Sequence, residues 1–66
     1  MNIADLADMI NEQTGAEGAE LECMTFYIAA GFADCMGKKD IGDYFAKRIE
    51  DSKKRLPEGH PFTRTY

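Results

Sequence analysis

Between Ala19 and Met36 the apolar residues fall on two opposed sides of a helix, and this constrains the chain more than any other feature. At about 100° per residue, Leu21, Met24, Ile28, Gly31 and Cys35 form one stripe with Phe32 beside it. Ala19, Cys23, Phe26, Ala30 and Ala33 form a second stripe nearly opposite, and Glu20, Tyr27 and Asp34 make a narrow polar seam between the two. A helix that is apolar on two sides must be covered on both. The chain has little to cover it with. Its 66 residues allow one domain, and a domain of that size buries only about 60% of the surface its unfolded chain exposes. Two Cys and one His are too few for a disulfide framework or a metal cluster to make up the deficit. Segments on either side of this helix can cover the first stripe together. The small-residue stripe permits close approach of another helix, so Ala19, Cys23, Phe26, Ala30 and Ala33 are expected to form the interface of an isologous homodimer.

The flanking segments also read as helices. Ile3, Leu6, Ala7 and Ile10 share one face of a short amphipathic helix over 3–13. Asn2 is its expected N-cap, Asp5 stands in a capping-box position, and Gly15 is its expected stop. Thr14 and Glu17 have capping-box spacing ahead of the central helix, expected over 17–36, and Gly37 is the expected cap at its end. Asp40 reads as the N-cap of a third helix over 41–56, with Ile41, Phe45, Ile49 and Leu56 on one face. Asp43–Lys47, Glu50–Lys54 and Asp51–Arg55 are acid-before-base pairs at i, i+4, each worth about 0.2–0.5 kcal/mol. Leu56-Pro57 ends that helix. The expected fold class is therefore all-α. A small three-helix bundle or helical hairpin spans 1–56, dimerises through its central helix, and is followed by an extended C-terminal tail over 57–66. Phe62 and Tyr66 lie in that tail, and aromatics in a polar tail favour docking, on the bundle or on a partner.

Candidate chemistry is sparse. Cys23 and Cys35 would stand about 18 Å apart along a continuous helix, which excludes a bridge within one chain, and both read as small buried hydrophobes. His60 sits in the turn sequence Pro57-Glu58-Gly59-His60-Pro61. Glu17, Glu20 and Glu22 are close in sequence, but no Glu is followed three residues later by His, as a ferritin-like site requires. The six glycines show no phosphate-loop pattern. No enzyme, cofactor or metal is expected. The longest apolar run, Cys23 to Met36, is interrupted by Asp34 and too short for a bilayer, and no basic n-region of a secretory signal is present. A cytoplasmic protein without a membrane partner is the expectation.

Charge is divided along the chain. Residues 1–37 hold seven acids and no base, whereas 38–66 hold all eight bases and five acids, so the halves carry −7 and +3 within a net charge of −4. The two halves can pair within or between chains, or the acidic half can meet a basic partner. In size and charge split the chain resembles the small free-standing helical proteins of phages and mobile elements that bind a host protein, a likeness of composition with no motif behind it. The function expected is a protein-interaction module, an inhibitor or adaptor, acting as a homodimer. Its partner-binding residues are expected to be Asp5, Asp8, Glu12, Glu20, Tyr27 and Asp34, with Phe62 and Tyr66 of the tail. A second reading is a nucleic-acid-associated protein with phosphate contacts at Arg48, Lys54 and Arg55, which the interleaved acids of the third helix disfavour. A third is a ligand-binding or enzymatic helical dimer built around Tyr27, Tyr44, Arg48 and His60.

Overall fold

The computed structural model describes residues 2–61, so Phe62 and Tyr66 lie outside the described residues. It contains three helices, α1 (Ile3–Thr14), α2 (Gly18–Cys35) and α3 (Lys39–Lys54), and no strand among the described residues. Each follows from its sequence. Asn2 caps α1 reciprocally: the Asp5 amide donates to Asn2 Oδ1 at 2.9 Å and the Asn2 amide donates to Asp5 Oδ2 at 3.5 Å. Gly15, at φ 75°, ends the helix by donating its amide to the Asn11 carbonyl.

Two boundaries differ from the sequence expectation. No capping box forms between Thr14 and Glu17. Thr14 closes α1 instead, its hydroxyl donating to the Ile10 carbonyl and accepting from the Ala16 amide, and Glu17 precedes α2 without a side-chain cap. After α2 the chain turns within three residues. Gly37 at φ 71° donates to the Asp34 carbonyl and Lys38 donates to that of Ala33, a Schellman motif. That turn sets Lys38 in the N-cap position and places Asp40 inside the first turn of α3, where its charge still favours the positive helix end.

The tight turn makes α2 and α3 an antiparallel hairpin, and this is the principal packing of the molecule. Gly42 faces Ala33 and Asp34, Phe45 lies 5.7 Å from Phe26 between ring centroids, and Ser52 and Arg55 meet Glu22. The buried line on α3 runs through Gly42, Ile49 and Ser52, with Leu56 buried just beyond, whereas Ile41 of the expected face is exposed. Small side chains explain the rotation: glycine and serine on α3 oppose alanine and cysteine on α2, so the backbones approach along the small residues and the large ones move to the flanks. Thr25 and Ser52 are buried without cost to hydrogen bonding, because each hydroxyl donates to a carbonyl one turn earlier, Leu21 and Arg48 respectively.

α1 docks on α2, burying Leu6 and Ile10 against Ala29, with Leu21, Met24 and Phe45 packed around them. The molecule measures 33 × 27 × 16 Å. A body 16 Å thick is little more than one helix diameter deep, and large apolar side chains remain at its surface.

Candidate protein-interaction surfaces

The stripe expected to meet a second subunit is covered within the chain. Cys23 is fully buried and Ala33 nearly so, Phe26 packs on Phe45, and Ala19 and Ala30 are half-buried. The cause is the close fit of α3 just described, which occupies the side that the small residues leave open. Ala19, Cys23, Phe26, Ala30 and Ala33 therefore form an intrachain seam.

The opposite stripe is only partly covered. α1 is 12 residues long and α2 is 18, so at 1.5 Å per residue α1 falls short by about 9 Å. Its first turn reaches no further along α2 than Phe32, where Asn2, Ile3, Leu6, Ala29 and Phe32 line an open groove of about 510 Å³. Ile28, Phe32 and Met36 recur every fourth residue along this edge and are exposed, Phe32 by 63% and Met36 by 71%. Ile41 of α3, one turn before the core-facing Phe45, is exposed too. Cys35, in the last turn of α2, is exposed, against the expectation of a buried thiol. The signal for this corner was the unequal length of the first two helices.

The expected partner-binding acids do not form one surface. Asp5, Asp8 and Glu12 are exposed on the side of α1 away from Leu6 and Ile10. Glu20, Tyr27 and Asp34 run along α2 on the side turned away from α1. There Glu20 Oε2 stands 3.0 Å from His60 Nε2, and Lys53 lies over the Tyr27 ring at 5.6 Å from its centroid. The Tyr27 side chain holds the Lys53 pKa above its ordinary value. Asp34 closes over Gly42. Glu20 and Tyr27 thus serve contacts within the chain, whereas the Asp34 side chain is exposed.

The basic residues of α3 are similarly engaged. Arg48 stacks over Phe26 at 5.4 Å from the ring centroid. Arg55 pairs with Glu22 and also reaches Asp51 at 3.6 Å, while Ser52 donates to Glu22 at 3.3 Å. The hydrogen bond from Arg55 holds the Glu22 carboxyl below the usual carboxylate range. Of the expected helical pairs Asp51–Arg55 forms, whereas Glu50 stands 3.9 Å from Lys53 rather than meeting Lys54. Among the proposed phosphate contacts Arg48 and Arg55 are thus committed, and Lys54 remains exposed. Tyr27, Tyr44, Arg48 and His60 sit against Lys53, Phe45, Phe26 and Glu20 and do not converge on one site.

Burial raises the pKa of the Cys23 thiol, which disfavours the nucleophilic thiolate. Among the described residues no three His, Cys, Asp or Glu side chains are grouped to hold a metal ion, and no helix is long and apolar enough to cross a membrane. Comparison with family models, with curated proteins and with solved structures gave no match.

Proposed function

We propose that the chain is a non-enzymatic protein-interaction module, an inhibitor or adaptor, that works as a homodimer and binds a partner with a basic surface. The observation that supports this reading best is the outer side of α1. Asp5, Asp8 and Glu12 are exposed there, no base occurs among residues 1–37, and none of the three has an ion pair among the described residues. Acids without ion-pair partners make the potential around a small domain negative, steer a basic surface toward it and speed association. Glu20 and Tyr27 are already engaged in the chain with His60 and Lys53, so the residues proposed to meet the partner are Asp5, Asp8, Glu12 and Asp34, with Phe62 and Tyr66 of the tail.

The test compares capture from the source cell by the wild-type chain and by a D8K/E12K variant, with the intact complex weighed by native mass spectrometry. The wild type is expected to retain a partner that elutes as salt is raised, and the variant to lose it. Equal capture by both chains would refute the acidic edge as the binding surface.

A further inference from the structure

We infer that residues 55–60 form an autoinhibitory strap, Arg55 occupying Glu22 and His60 occupying Glu20, which keeps these two carboxylates of α2 from the basic partner. The inference rests on the acidic reading above and adds the way that surface is regulated. Of the seven acids in residues 1–37, Glu20 and Glu22 alone have a basic partner among the described residues, and both partners come from this one short segment. Arg55 pairs with Glu22, and His60 Nε2 stands 3.0 Å from Glu20 Oε2. The strap thus already does to part of the acidic half what a basic partner would do. The two compete for the same carboxylates.

The build of the segment suits closing and opening. Glu20 and Glu22 are two residues apart, about 200° round the helix, so a segment that holds both wraps part of the way round the start of α2. Leu56, next to Arg55, is buried and seats one end. Ahead of His60 the chain turns tightly: the His60 amide donates to the Pro57 carbonyl at 3.1 Å, and Gly59 takes the left-handed conformation at φ 83°. The His60 side chain is only 17% exposed, so the turn presses it against the molecule. The grip is nonetheless light. The Glu20, Glu22 and Arg55 side chains are each more than a third exposed, and exposed ion pairs contribute little to stability. Arg55, once released, keeps Asp51, already 3.6 Å away. Glu58, the strap's one acid, has no ion pair among the described residues to hold the strap down. A partner that binds only the open strap is weakened by the fraction of molecules in which it is closed.

The test uses the full chain with the variants H60A and R55A, and K54A as a control, because Lys54 is exposed and lies outside both contacts. K54A and R55A each remove one positive charge from neighbouring positions, so a difference between them is not an effect of net charge. Amide exchange by NMR at positions 56 and 60 reads the opening of the strap. Titration with octalysine, followed at the Glu20 and Glu22 carboxyl carbons, reads access to the acids. In H60A and R55A protection at the two positions should fall at least about threefold, and octalysine should bind the two carboxylates more tightly by a similar factor. The amides within α2 and α3 should keep their protection, and K54A should fall short of both changes. If R55A loosens the end of α3, H60A, beyond that helix, decides alone. Unchanged protection in H60A overturns the strap. Faster exchange without tighter octalysine binding, or a gain in K54A equal to that in R55A, overturns the autoinhibition. Either failure leaves the outer edge of α1 to be judged by the D8K/E12K capture experiment, and equal capture there would remove that edge while the strap stands.

Discussion

Gly42 shows how one position sets the spacing of two helices. A Cβ there would stand 2.6 Å from Asp34 Oδ1 and 3.9 Å from the Ala33 Cβ. The first of these atoms ends an exposed side chain that can turn to water. Alanine in a helix interior gains about 1 kcal/mol over glycine. The two effects oppose, so G42A is expected to change stability by no more than about 1 kcal/mol, of either sign. Valine adds methyl groups that meet Ala33 with no room to move, and G42V is expected to cost about 1–3 kcal/mol. Urea titration of the two variants distinguishes them, and an equal loss in both would show that Asp34 is fixed in place. The cysteines give a second residue-scale expectation. Cys23 has no exposed surface and a raised pKa, whereas Cys35 is open to solvent. One maleimide should add rapidly to the native chain and a second only on unfolding, as read by intact mass. Rapid addition of two to the native chain would mean that the α2–α3 seam opens readily.

At the scale of elements, α1 is the loosest part. It buries Leu6 and Ile10 mainly on α2, whereas α2 and α3 share the seam and the contacts around Glu22. Removing one anchor by L6A is expected to cost about 2–5 kcal/mol, and hydrogen exchange should show α1 amides opening before those of α2 and α3. Equal protection across all three helices would contradict this order. The existence and sequence of the helices were legible because each has its own apolar period. The reciprocal Asn2–Asp5 cap and the stop at Gly15 were also readable from residue type and spacing. Where expectation and structure part, the deciding term is tertiary. A helical wheel places Ala19, Cys23, Phe26, Ala30 and Ala33 on a side but does not say which helix comes to it. The answer lies in Gly42 and Ser52 of α3, small buried residues that carry no apolar period of their own. Likewise the start of α3 at Lys39 was set by the Schellman turn, which leaves no length for Asp40 to act as a cap. The acidic surface was half legible: the wheel puts Asp5, Asp8 and Glu12 outward, but no local pattern tells that His60 returns to Glu20 from forty residues away.

For the whole molecule, acid sets two effects against each other. The chain carries −4 at neutral pH, and its unpaired acids on α1 repel one another, so protonating them relieves strain on the compact state. Glu22 works in the other direction. Its carboxyl titrates below its ordinary value of 4.5 because Arg55, helped by Ser52, favours the charged form. A group with a depressed pKa in the folded state adds stability that is fully present above its unfolded value and is lost as the pH falls through the folded one. The contacts joining α2 to α3 at Glu22 should therefore hold at pH 7 and weaken progressively below about pH 4.5. Measuring the wild type alone mixes this loss with the relief of repulsion on α1. The difference between wild type and E22Q isolates it, since glutamine keeps the shape and the hydrogen-bonding oxygen but does not titrate in this range. The unfolding midpoint of E22Q should lie below that of the wild type at pH 7, and the gap should close as the pH is lowered toward 3. A gap that stays constant with pH would mean that Glu22 contributes only by packing, and the hairpin would then be held by its apolar seam alone.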